Sequence, residues 1–207
     1  MKTQAIFNDQ GYQIHWSDAL EYMKKVRDDE FECVLTSPPT EVELDENYRS
    51  RDWKFDQRWL TEARRISSGP VIFTLHPVFL EQLNEKPDHI GVWCIPAKPG
   101  RSLRWPNQAW NAVVMYDLLP IGYESNDWWI CSPPQSQDHP APSPLELFRE
   151  LLKMTRGKTV LDPFCGIGTT LHAAASLEFE RAVGVDHNEA YCYMASARLE
   201  SALARKE

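Results

Sequence analysis

The chain has 207 residues, enough for one domain with a full hydrophobic core. Hydrophobic residues at 43% and charged residues at 25% are those of an ordinary soluble globular protein. A net charge of −8 argues against a uniformly basic nucleic-acid binder, because phosphate contacts need Lys and Arg. No apolar run approaches a membrane span, and the opening MKTQAIFNDQ lacks the apolar middle of a signal peptide, so a cytoplasmic location without membrane contact is expected.

In chain order, β-rich runs are predicted at 12–16 (YQIHW), 32–36 (ECVLT), 70–75 (PVIFTL), 112–118 (AVVMYDL), 158–162 (KTVLD) and 181–186 (RAVGVD). Several are apolar without alternation, as in strands covered on both faces, which points to a three-layer α/β sheet. CSPPQSQDHPAPSP (131–144) reads as a rigid loop. A helix is expected from SPLEL, with Ser143 capping, Pro144 in the first helical position and Glu146 completing a capping box. Leu145, Phe148, Leu151 and Leu152 form its apolar stripe. A closing helix is expected from about Asn188, with Cys192, Ala195 and Leu199 on one face. No internal repeat interrupts this order, and a single domain is expected.

Cys33, Cys94, Cys131, Cys165 and Cys192 are scattered, with no CxxC pair and no close His, which fits reduced thiols and no metal site. Charge is uneven. Asp and Glu crowd residues 28–46, followed by Arg49, Arg51, Lys54, Arg58, Arg64 and Arg65, with Lys98, Arg101 and Arg104 as a second basic group. A local basic groove on an acidic body keeps a DNA substrate open.

The strongest local signal is TVLDPFCGIGTTLHAAASL. A strand ends at Asp162, a turn with Gly166 and Gly168 follows, and a small-residue helix begins near Thr169. Glycines permit close backbone approach to a ligand, and Asp186, at the end of the next strand, is spaced to accept bonds from ribose hydroxyls. Leu171 stands where a dinucleotide fingerprint has its third glycine, and the acidic Asp162-Pro163 suits a cationic cofactor better than a pyrophosphate. Taken alone, these features also fit an ordinary strand–helix turn. In VLTSPPT (34–40), Pro38 and Pro39 remove two N–H donors, while Ser37 adds a hydroxyl acceptor. Acceptors are what holds an exocyclic NH2 group, although most Ser-Pro-Pro triplets are plain loops.

Together the two segments resemble the S-adenosylmethionine (SAM)-dependent amino-methyltransferases acting on cytosine N4 or adenine N6 in DNA. The circularly permuted arrangement, with Ser-Pro-Pro ahead of LDPFCGIGTT, is the one resembled. YQIHWSDALEYMKKVRDDEFECVLTSPPT is similar to the family's opening strand, helix and catalytic strand, and NDWWICSPPQSQDHPAPSPLELFRELLKM to its Trp-containing segment and His-Pro loop. The resemblance implies a Rossmann-like fold with a mixed, mostly parallel sheet. It implies a catalytic half at about 1–130, a SAM-binding half at about 131–207, and no separate target-recognition domain.

By the same resemblance, Asp162, Phe164, Gly166, Gly168 and Thr169 surround the methionine part of SAM, and Asp186 binds its ribose. Asp18 lies near the adenine, or else simply caps a helix, and the His139-Pro140 loop packs over the methionine end. Ser37, Pro38 and Pro39 form a catalytic shelf for a base flipped out of the duplex. Ser at 37 leans toward cytosine N4 by family association. Thr40 departs from the family's base-stacking aromatic, with Tyr48, Trp53 or Trp105 as substitutes. The alternatives are adenine N6 or RNA methylation by the same chemistry, or a non-catalytic subunit working with a partner; a homodimer is also open.

Overall fold

The structure is a computed structural model that describes residues 3–39, 56–96, 110–118, 126–132, 134 and 143–204. The strands are β1 (Gln4–Asp9), β2 (Tyr12–Trp16), β3 (Cys33–Thr36), β4 (Val71–Leu75), β5 (His89–Cys94), β6 (Trp110–Tyr116), β7 (Trp128–Ile130), β8 (Thr159–Asp162) and β9 (Arg181–Asp186). The helices are α1 (Ala19–Met23), α2 (Arg58–Ile66), α3 (Leu145–Lys153), α4 (Thr169–Ser176) and α5 (Glu189–Leu203). Among the described residues the strands form one sheet in the order β1-β2-β9-β8-β3-β4-β6-β5-β7. Neighbours from β2 through β4 run parallel, as do β5 and β7, while β1–β2, β4–β6 and β5–β6 are antiparallel.

Each central strand feeds two cores because successive side chains alternate between faces. Cys33 and Leu35 of β3 face the cluster built with Leu147, Phe148, Leu151 and Leu152 of α3, Ala173 to Ala175 of α4, and Ala195 and Leu199 of α5. Val34, between them, faces Met23 of α1 and Trp59, Leu60, Ala63 and Ile66 of α2. All six predicted strands form, with RAVGVD and YQIHW at their expected bounds.

Three strands and one helix lie outside those predictions. β1 is half-exposed and polar, and it joins β2 through Gln10-Gly11, both at positive φ as the tightest hairpin turns require. β5 carries Gly91, where a Cβ would lie 2.7 Å from the Trp129 ring. β7 is only three residues long. α2 has no side-chain cap and arises from the buried face Trp59, Leu60, Ala63 and Ile66.

The start of α3 differs from expectation. Pro144 is the N-cap itself, in extended conformation, so the helix begins one residue later and Ser143 makes no cap bond. The Ser143 hydroxyl instead reaches Ser37, 3.2 Å away. Asn188 caps α5 as anticipated, accepting from the amides of Ala190 and Tyr191.

Arg58, Arg64 and Arg65 do not form an open basic strip. Arg58 pairs with Asp56, Arg64 forks onto Asp117 at 2.6 and 2.7 Å and also meets Glu85, and Arg65 pairs with Glu62 and Asp28. Carboxylates brought in by the fold neutralise them. Arg49, Arg51, Lys54, Lys98, Arg101 and Arg104 lie outside the described residues. Among the described residues, no helix is long and apolar enough to cross a membrane.

Candidate active site

From β3 the chain moves outward to β4, and from β8 it moves the other way to β9. The crevice at the carboxyl ends of β3 and β8 is therefore the topological switch point, where open α/β sheets hold their ligands. Thr36 and Ser37 arrive there from β3, and Asp162 from β8. Thr36 donates to Asp162 Oδ1 at 2.6 Å, tying together groups 126 residues apart in sequence. Asp162 also accepts from the Phe164 amide at 3.1 Å and from Thr170 Oγ1.

With 3% of its surface exposed, Asp162 is held by these three protein donors. Burial pushes its carboxyl up to about 6 against those hydrogen bonds, and the negative charge of Asp186 adds to the rise.

The turn after β8 is built from backbone bonds. Cys165 donates its amide to Val185 O at 2.9 Å, Gly168 to Cys165 O at 2.7 Å, and Gly166 to Asp186 Oδ2 at 2.8 Å. Gly166 and Gly168 both have positive φ, at 49° and 80°. Gly168 is needed for packing as well, since a Cβ there would lie 2.9 Å from Ala195 Cβ of α5. Asp186, 7% exposed, takes the Asn188 amide on its other oxygen at 2.8 Å. It thus clamps the glycine turn while two lone pairs remain. Cys165 is buried and its thiol is pushed well above its ordinary range by burial, which fits a packing residue and not a nucleophile.

A cavity of about 250 Å³ opens beside the turn, lined by Pro39, Asp18, Phe164, Trp59 and His187 among others. Phe164 meets Trp59 edge-on, with ring centroids 5.5 Å apart. Asp18 caps α1, accepting from the Glu21 amide at 2.9 Å, and it also lines the cavity. Asp56 and Arg58 contribute an ion pair at the rim.

The fold gathers ten of the expected site residues at the carboxyl ends of the sheet's parallel strands: Ser37, Pro38, Pro39, Asp162, Phe164, Gly166, Gly168, Thr169, Asp186 and Asp18. Of these, Asp18, Pro39 and Phe164 line the cavity directly. His139, Pro140 and Thr40, and the aromatic substitutes Tyr48, Trp53 and Trp105, lie outside the described residues. Sequence reasoning missed Trp59 and Arg58 as cavity residues, because their helix carried no cap signal. It also missed His187, which its place directly after Asp186 could have flagged.

Residues 97–197, which include the glycine turn, match the family model of N6/N4 DNA methylases. The type II methyltransferase M.BglI of Bacillus subtilis is 37% identical over 76 residues, covering 36% of this chain and 22% of that protein. Among solved structures, the M1.HpyAVI–SAM complex has a TM-score of 0.66 at 20% identity, covering 91% of this chain and 100% of that one. TTHA0409 of Thermus thermophilus, complexed with SAM, scores 0.64 at 23% identity, with 92% and 93% coverage. The cytosine-N4-specific PvuII DNA methyltransferase scores 0.68 at 15% identity, with 94% and 92% coverage. The match to the N6/N4 DNA methylase model thus runs through the glycine turn, on a sheet of the same fold as these solved methyltransferases, and the chain resembles that family.

Proposed function

We propose that this chain transfers a methyl group from SAM to the exocyclic amino group of a DNA base, and that the base is cytosine. The observation that carries it is the meeting of Ser37-Pro38-Pro39 with the glycine turn at the switch point, joined by the Thr36–Asp162 bond. The residues fit the cofactor: in the cavity Phe164 and Trp59 offer aromatic walls and Asp18 and Asp56 offer carboxylates, and Asp186 adds a carboxylate under the glycine turn. Bound there, SAM supplies an electrophilic methyl carbon.

The protein's part is orientation. An exocyclic amine is a poor nucleophile because its lone pair is delocalised into the ring. Ser37 Oγ and the Pro38 carbonyl accept its two N–H bonds and favour a pyramidal nitrogen. The lone pair is thereby freed for in-line attack, and the surplus proton passes to water. Orientation and preorganised acceptors supply the acceleration, with no covalent enzyme intermediate. Cytosine N4 is supported by Ser at 37 and by the fold shared with the cytosine-N4-specific PvuII enzyme.

The test is transfer from labelled SAM to unmethylated DNA, read by nucleoside mass spectrometry, with Ser37→Ala as control. N4-methylcytosine that disappears in the variant is expected. N6-methyladenine reassigns the base, and no product with SAM binding intact refutes the activity.

A further inference from the structure

We propose that Thr74 and Ser143 are positioning residues that make Ser37 read an amino group and reject a keto oxygen. This rests on the methyl-transfer reading above and deepens it. Thr74, on β4 beside β3, is 6% exposed, and its Oγ1 is hydrogen-bonded to Ser37 Oγ. Ser143, just ahead of α3, places its Oγ 3.2 Å from the same oxygen. Three separate segments thus deliver three hydroxyls to one point, with Ser37 in the middle.

A hydroxyl has one proton and two lone pairs. When Ser37 donates to one neighbour and accepts from the other, a single lone pair is left to face the substrate. That lone pair accepts an N–H from cytosine N4 or adenine N6. Thymine O4 or guanine O6 would bring a second acceptor against it. The two neighbours therefore convert an ambivalent hydroxyl into an acceptor.

Removing one neighbour still leaves the Ser37 proton an internal acceptor. Removing both turns that proton toward the pocket, where it opposes the incoming amine. The two losses are therefore coupled, and the double variant is worse than the singles combined.

The experiment measures kcat, KM for SAM and SAM affinity on DNA that the wild type methylates, for Thr74→Val, Ser143→Ala, the double variant and Thr74→Ser. Single variants are expected to lose about threefold in kcat and the double variant about thirtyfold or more. SAM affinity should stay within about twofold, because neither residue lines the cavity, and Thr74→Ser should restore kcat. Binding of an oligonucleotide with uracil in place of the target cytosine supplies a readout that a merely structural role would not move. The wild type should prefer cytosine, and the preference should shrink in the double variant.

Unchanged kcat in the double variant, or losses that simply multiply with cytosine preference intact, overturns the proposal while leaving the methyl-transfer activity standing. Should Thr74→Val fail to fold, Ser143→Ala on the half-buried segment before α3 carries the test alone, and wild-type kcat there overturns it. A wild-type protein that binds SAM and methylates no DNA brings down the parent reading, and this proposal with it.

Discussion

Replacing Asp162 by Asn is expected to stabilise the protein at neutral pH and to lose that advantage in acid. The carboxyl is buried and rises from its ordinary 3.8 to about 6. Burial causes the rise, helped by Asp186, while bonds from Thr170, Thr36 and the Phe164 amide oppose it. Between these values the folded protein holds a proton that the unfolded chain has released. Stability from this group is thus complete below about pH 4, falls as pH rises, and is gone above about pH 6.

The shift corresponds to about 3 kcal/mol, the cost of an ionised carboxylate in this place. Asn removes the charge and keeps one oxygen for Thr36 and the Phe164 amide. Its NH2 group obliges Thr170 to turn from donor to acceptor, at a cost of about 1 kcal/mol. A net gain of about 1–2 kcal/mol at neutral pH follows, shrinking to nothing or reversing near pH 4. Urea unfolding of both proteins across that range measures it, and taking the difference cancels the other carboxylates. A difference independent of pH, or an Asn variant less stable at neutral pH, refutes the reasoning.

Gly168→Ala should destabilise by about 2–4 kcal/mol in chemical unfolding, because Ala must adopt a positive φ and its Cβ meets Ala195. Asp186→Ala leaves the buried Gly166 amide without its acceptor and loosens the turn. The SAM dissociation constant measured by calorimetry should rise about tenfold or more, and an unchanged value would remove Asp186 from the site.

Much of the molecule was legible in the chain because its central strands are buried on both faces. Runs such as VIFTL and AVVMY, short, apolar and rich in β-branched residues, suit the middle of a three-layer sheet. The glycine turn was legible for a local reason: Gly166 and Gly168 must take positive φ, and Asp186 sits one strand–helix–strand unit away. Edge strands β1 and β7 escaped notice because short or half-solvated segments carry a weak apolar pattern. The basic run around α2 misled in part for the opposite reason: Asp56 and Glu62 stand within it, but Asp117, Glu85 and Asp28, which pair with Arg64 and Arg65, lie 21 or more residues away.

Residue type and short spacing pointed to Asp162 and Asp186, strand-end carboxylates around a glycine turn, whereas Ser37 stood out only through the family resemblance of the two segments together. Folding alone decided what those groups do with their hydrogen bonds. Asp162 turned out to be enclosed by Thr36 and Thr170, Ser143 was drawn from its helix cap to Ser37, and Thr74 came alongside from the next strand. A hydrogen bond needs its partners within about 3 Å, and which distant residues come that close is fixed by strand order and not by any pattern along the chain.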